Sequence, residues 1–328
     1  MEFNLFRQVS KYRTELMGYA ILGVFICHIF NRTDIHSFLL ATIPRLVYTQ
    51  GFLFLSGFGL YYSFSQKSDL SHYFDKRLRR VFFPYFIISF PFFVTIVLLT
   101  GQSVLDLIGY LSTLIFWLKG NFYGMWYIAI TLAMYLLFPL VYKGIFYRPE
   151  GVLLRGAIII LLFFSVIVLV NIFFPNYYSL VGQWIHKTVM FPIGILSGYV
   201  SKNHQGFKYR DCYAVLISLI LLFVFSLMFC KFLYEYSRSL VGIFCLPFLF
   251  EFLSTSCRLR WINSVLRWLG LYSLELYVLH VLMFKTVKSY YEDAEVLVMA
   301  CCIVWALLIC VPIHNMIENI DRKLFKAT

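Results

Sequence analysis

Charge is scarce in this chain, and acid is scarcest of all. Of 328 residues only 16 are aspartate or glutamate, and charged residues together make up 13%. A water-soluble domain carries about 25% charged residues, so the polar surface needed to face water on every side is missing. Metal-binding and disulfide frameworks are missing too, because the eight cysteines show neither spacing. Cys27, Cys230, Cys245, Cys301, Cys302 and Cys310 lie in or beside apolar runs, where a thiol packs as a small apolar group. There is no internal repeat, low-complexity tract or linker, and no loop long enough to hold a soluble domain. The N-terminus carries Arg7, Lys11 and Arg13 ahead of an apolar stretch, but no small-x-small pattern follows Phe30. It reads as a retained first helix rather than a cleaved signal.

What the chain has is hydrophobicity, at 61% of its residues. A helix needs about 20 mostly apolar residues to cross a bilayer, and ten segments come near that: Leu16–Phe30, Leu46–Phe64, Val81–Leu99, Met125–Tyr142, Val152–Phe173, Thr188–Val200, Leu216–Leu233, Leu240–Leu253, Leu269–Phe284 and Val296–Ile317. The sixth is short and holds Pro192, Gly194 and Gly198. Val104–Leu118 is apolar but interrupted by Asp106 and Gly109, and reads as an interfacial or re-entrant segment packed against protein. The expected fold is therefore an all-α polytopic membrane protein of about ten transmembrane helices. It forms one integral-membrane domain over residues 1–328, with no soluble domain.

The net charge of +12 does not point to nucleic acid, because the basic residues sit in short clusters between apolar runs. They orient the helices instead. With the N-terminus inside, 20 of the 28 lysines and arginines fall on the inner side. The other eight, Arg32, Arg45, Lys119, Lys187, Lys231, Arg238, Lys285 and Lys288, fall outside. The positive-inside rule then places both termini in the cytoplasm.

An ionisable group in the bilayer core costs about 2.5–3.5 kcal/mol on insertion scales, and two histidines stand there. His28 lies 12 residues beyond Leu16, or roughly 18 Å along the helix, past the midplane. Asn31 and Arg32 share its face, as does Met17, about three turns earlier. On the ninth segment Ser273, Tyr277 and His280 are spaced i, i+4, i+7 and form one polar stripe, while Glu275 projects to another side near Tyr272. A lone membrane histidine serves equally well as a structural hydrogen bonder or a catalyst. The Arg77-Leu-Arg79-Arg80 cluster likewise has two readings. It is an anchor at the inner face or a clamp for phosphate, whose oxygens the guanidinium fork matches.

Five segments, in order and spread over most of the chain, resemble the membrane-bound acyltransferase 3 family, which O-acylates cell-surface sugars in bacteria. Tyr12-Arg-Thr-Glu-Leu-Met-Gly-Tyr-Ala-Ile-Leu-Gly-Val-Phe-Ile-Cys-His28 is similar to the family's first helix, which ends in its proposed catalytic histidine. Phe52-Leu-Phe-Leu-Ser56-Gly57-Phe58 resembles the signature of its second helix. Phe74-Asp-Lys-Arg77-Leu-Arg-Arg80, followed by Phe83-Pro84-Tyr85, is similar to its Arg-x-x-Arg segment. Trp126-Tyr127 leading to Tyr135-Leu-Leu-Phe-Pro139, and Ser273-Leu-Glu-Leu-Tyr277-Val-Leu-His280, resemble later landmarks. One position departs from the pattern. The family usually carries arginine or lysine 11 residues before the histidine, and here Met17 stands there, with Arg13 a turn further back.

The resemblance implies an acetyl-CoA-dependent O-acyltransferase of the bacterial cytoplasmic (inner) membrane, with acyl-CoA as donor and a polysaccharide or lipid-linked glycan as acceptor. It implies no metal and no nucleic acid, a setting in membrane lipid, and says nothing of oligomeric state. On it, His28 is the catalytic residue, as general base or transiently acylated, and Arg77 and Arg80 bind the donor, with Arg13 in the place of the missing basic residue. His280, Tyr277, Ser273 and Trp126 fall on the acceptor side. Tyr127 is read with Trp126, as packing or acceptor contact, and Ser56 and Gly57 as permitting close helix packing. The competing reading is a lipid-linked sugar transporter or flippase, or a polysaccharide-assembly membrane protein without acyltransferase activity. A transporter predicts paired broken helices and internal symmetry, and a polymerase a large charged outer loop, neither of which the sequence displays.

Overall fold

The computed structural model describes residues 5–33, 37–120, 123–203, 209–229, 231–256, 258–288 and 295–325. Every regular element among them is helical, as the lipid requires of a non-barrel chain: with no water to satisfy backbone N–H and C=O groups, they must pair within the segment. Among the described residues six helices are long and apolar enough to cross a membrane: Arg13–Phe30, Leu70–Thr100, Trp126–Phe146, Val152–Phe173, Leu233–Thr255 and Glu295–Leu324. A seventh results if Arg260–Leu271 and Ser273–Val287 together make one broken span.

Each of the ten expected spans contains helix, but the helices differ in kind. Val152–Phe173 coincides with its apolar run and leaves Leu154, Leu161 and Ile172 more than 60% exposed, as a lipid-facing helix does. Tyr48–Gln66 is also a full-length helix, yet most of its residues are buried, Thr49, Gln50 and Ser56 among them. Met190–Asn203 has only 14 residues, roughly 21 Å of helix, short of the hydrocarbon thickness. The apolar run Leu216–Leu233 is shared by two helices, Tyr209–Phe229 and Lys231–Thr255. Val104–Leu118 divides into Val104–Leu111 and Leu114–Lys119, separated at Thr113 by a backbone φ of 63°, and neither piece is long enough to span.

The chain forms two compact units. The first comprises Met1–Lys67, Val141–Phe163 and Lys187–Leu271. Its helices touch main chain to main chain, because glycines stand at the crossings. A Cβ on Gly57 would lie 2.2 Å from the Phe191 carbonyl oxygen, and one on Gly194 would lie 2.0 Å from that of Phe54. Tyr48–Gln66 and Met190–Asn203 are thus packed through Gly57 and Gly194, the small-residue contact that lets helices associate where lipid removes the hydrophobic drive. Arg13–Phe30 and Arg260–Leu271 meet the same way at Gly18 and Gly270, where added Cβ atoms would sit 1.7 and 1.9 Å from carbonyl oxygens of Leu266 and Thr14. At one edge Lys11 Nζ and the Tyr12 hydroxyl both donate to Glu251 Oε2, at 2.6 and 2.7 Å. The carboxylate bond raises Lys11 above its ordinary pKa.

The second unit comprises Ser68–Leu140, Phe164–His186 and Tyr272–Thr328. Its longest feature is the continuous stretch Leu70–Thr100, which widens to π geometry over Leu78–Phe82. Pro84 explains the widening. It has no N–H to give the Arg80 carbonyl and its ring crowds that oxygen, so the Phe83 N–H reaches back instead to Leu78. A capping box between Ser103 and Asp106 starts Val104–Leu111, and the Tyr85 hydroxyl donates to the Tyr110 carbonyl at 2.7 Å.

Candidate active site

Within the first unit, His28 occupies the last turn of Arg13–Phe30 and is half-buried. Arg32, four residues on, donates to its carbonyl. Arg13 sits at the other end of the same helix, about 22 Å away at 1.5 Å per residue. Its Nε donates to the Leu55 carbonyl at 3.1 Å, and its guanidinium lies in the space left open at Gly59. Arg13 therefore borders the Phe52–Phe58 signature rather than the histidine, and Met17 lies between them, half-buried.

Around the His28 turn lies a polar seam that sequence reasoning passed over. Arg45 donates from Nε to Cys27 Sγ at 3.3 Å and from Nη2 to Asn31 Oδ1 at 2.9 Å, one residue before His28 and three after. Gln50, fully buried, donates to Glu235 Oε2 at 2.6 Å and accepts from the Ser239 hydroxyl at 3.1 Å. Lys187 reaches Thr49 Oγ1 at 3.3 Å and stands 5.8 Å from the centre of the Tyr48 ring. Arg238 stacks its guanidinium 5.0 Å from the Tyr234 ring. Arg45, Lys187 and Arg238 had counted only as outer-side charges, whereas Lys187 and Arg238 are buried at 7% and 4% exposure. No short motif announces the seam, because its partners are 138 to 189 residues apart in pairs such as Lys187–Thr49 and Ser239–Gln50.

Within the second unit, Arg77 precedes the π turn and Arg80 lies in it, with different surroundings. Arg80 is exposed, while Arg77 is half-buried and holds its guanidinium 5.9 Å from the rings of both Tyr73 and Tyr135. Cations over ring faces are attracted by the ring quadrupole. The Tyr73 hydroxyl donates to the Tyr135 carbonyl at 2.9 Å and fixes the pair. Arg77 opens on a cavity of about 300 Å³, otherwise lined mainly by apolar and aromatic side chains such as Phe74, Phe82, Trp117, Ala133 and Leu136. A cation at the rim of an apolar slot suits a ligand with an anionic head and an apolar tail.

Trp126, Tyr277 and His280 are also brought together in this unit, through Tyr127. Trp126 and Tyr127 pack edge to face at 6.0 Å, Tyr127 and Tyr277 at 5.2 Å, and Tyr277 and His280 at 5.9 Å. The Tyr277 hydroxyl donates to the Gly124 carbonyl at 2.6 Å, and Trp126 stacks on Trp184 at 4.4 Å. His280 is fully buried, its Nδ1 2.6 Å from the Leu276 carbonyl oxygen, and Ser273 is buried at the start of the same helix. Glu275 projects to the other face, where its Oε1 meets His314 Nδ1 at 2.6 Å beside the Tyr272 ring. That pair, 39 residues apart, is another contact no local spacing predicts.

No curated protein and no solved structure matches the chain. The profile of the acyltransferase 3 family, described as an acyltransferase domain, matches residues 18–315. That range takes in the His28 turn, the π turn with Arg77 and Arg80, and the Tyr277–His280 helix, and it leaves out Arg13. The chain belongs to the acyltransferase 3 family and is an all-α membrane acyltransferase.

Proposed function

We propose that the protein transfers an acyl group, acetyl first among them, from cytosolic acyl-CoA to a sugar hydroxyl of a cell-surface or lipid-linked polysaccharide. It does so as one integral-membrane domain of the bacterial cytoplasmic membrane, with ten crossings and both termini inside. The observation that carries the donor side is the apolar cavity rimmed by Arg77. Acyl-CoA combines a polyanionic nucleotide with an uncharged pantetheine arm, and a guanidinium beside an apolar slot matches both halves. Arg80, exposed three residues on within the π turn, adds a second cation for the phosphates.

In the reaction so assigned, His28 accepts the proton of the sugar hydroxyl as its oxygen attacks the thioester carbonyl. The new C–O bond forms, the C–S bond breaks, and the imidazolium returns its proton to the departing CoA thiolate. If instead the imidazole attacks first, the acyl group rests on His28 and passes to the hydroxyl in a second step. Trp126, Tyr127, Tyr277 and His280, packed edge to face and buried, are assigned to the acceptor side. The test is His28→Ala, with the protein level held equal, in a strain scored by mass spectrometry for glycan acylation, together with purified protein given labelled acetyl-CoA. Acylation and glycan-dependent CoA release should both vanish, and full acylation by the variant would sink the assignment.

A further inference from the structure

The seam beside His28 holds more positive charge than its own residues neutralise. Lys187 interacts electrostatically with two further cations, Arg45 and Arg238, and with one carboxylate, Glu235. Glu235 is held by the buried Gln50 amide, which is held in turn by Ser239. The carboxylate is therefore oriented by a neutral scaffold. Arg238 is 4% exposed, and its Nε is buried without a hydrogen-bond partner. Burying a guanidinium N–H unpaired is costly, and an anchor at a membrane face has no need to do it, since it keeps its head in water. Arg45 donates to neutral acceptors, Cys27 Sγ and Asn31 Oδ1.

We propose that Arg45, Lys187 and Arg238 form a subsite for an oxyanion, a carboxylate or a phosphate, carried by the acceptor glycan. Guanidinium forks match planar or tetrahedral oxyanions bidentately, and a ligand oxygen supplies the partner that Arg238 Nε lacks. Arg45 ties the subsite to the turn that bears His28, because its two contacts lie one residue before and three residues after the histidine. An anion seated there holds the sugar a fixed distance from the imidazole. The acceptor is then acidic: a uronic-acid type sugar, or a glycan still linked to a lipid diphosphate. That the carrier is an acceptor rests on the acyltransferase reading. That the seam takes an oxyanion does not.

The test uses the full chain, purified in neutral detergent with saturating CoA present, so that the donor site cannot capture the probes. The thermal midpoint is followed against sodium glucuronate, farnesyl diphosphate and phosphatidylglycerol, with glucose and farnesol as neutral counterparts. Ligands that bind only the folded state raise the midpoint. Glucuronate or farnesyl diphosphate should raise it where the neutral analogues do not, and Arg238→Gln should weaken the apparent affinity at least tenfold. Arg238→Lys should not restore it, because the fork is lost. If Arg238→Gln fails to fold, Arg45→Gln, whose side chain is only half-buried, carries the same measurement. No shift with any anion, or an undiminished shift in the folded variants, overturns the subsite. A shift with phosphatidylglycerol alone assigns the seam to a boundary lipid and overturns the acceptor assignment. CoA release by the wild-type protein, measured separately, tests the acyltransferase reading, so the two failures are distinguishable.

Discussion

The guanidinium of Arg77 and the ring of Tyr135 lie 5.9 Å apart, and both residues line one largely apolar cavity. The two side chains come from different helices, and Tyr73 braces the pair by donating to the Tyr135 carbonyl. The cation is therefore positioned by aromatic neighbours, and this makes its contribution separable from charge alone.

Arg77→Gln should raise KM for acyl-CoA about tenfold or more, equivalent to roughly 1.4 kcal/mol, with a smaller change in kcat. Arg77→Lys should recover little, because the ammonium lacks the planar fork, and Tyr135→Leu should show a weaker version of the same defect. Steady-state kinetics on the purified variants decide this. A KM equal to wild type in Arg77→Gln removes Arg77 from donor binding.

Filling the cavity should change acyl preference. Ala133 lines it with Trp117 and Leu136, so Ala133→Phe should reduce kcat/KM for butyryl-CoA more than for acetyl-CoA, by at least about tenfold, since one methylene alone is worth about that much in a hydrophobic pocket. Equal losses for both donors would place the acyl chain elsewhere.

Gly57→Ala and Gly194→Ala should each destabilise the protein by about 1–3 kcal/mol, the usual cost of overpacking, because each added methyl meets a carbonyl oxygen at or below 2.2 Å. Gly109→Ala is the comparison. Its methyl would make ordinary contacts of 3.5 and 3.7 Å with Ile115, and in a helix it should stabilise by up to about 1 kcal/mol. Thermal unfolding in detergent separates the two outcomes.

Glu275→Ala should cost about 1.5–3 kcal/mol, the range for a hydrogen bond to a charged group, since Glu275 is buried and bonded to His314. Glu275→Gln keeps an acceptor and should lose less. The same unfolding assay reads both, and equal midpoints for the two variants would show that the His314 contact contributes nothing.

Most of the helical plan was legible in the apolar runs, because a lipid-facing helix such as Val152–Phe173 must be apolar on all sides and announces itself. The runs are less uniform where protein replaces lipid. Tyr48–Gln66 carries buried Thr49 and Gln50, and Met190–Asn203 is short, since each is covered by neighbouring helices and need not meet the hydrocarbon alone. Local motifs singled out His28, Arg77 and Tyr277 as candidates, but Arg45, Lys187 and Arg238 registered only as topological charge. Whether a basic residue faces water or a buried hydroxyl depends on partners more than a hundred positions away, such as Thr49 for Lys187, and spacing carries no trace of them.

The glycine crossings have a mechanical consequence. Where Gly57 and Gly194 set backbone against backbone, the gap between helices has no side chain whose rotation could widen it. Thr49, Gln50 and Lys187 extend from or lead into those same two helices. The frame around the charged seam is therefore stiff, and whatever gives way as substrates enter and leave must be sought outside these crossings.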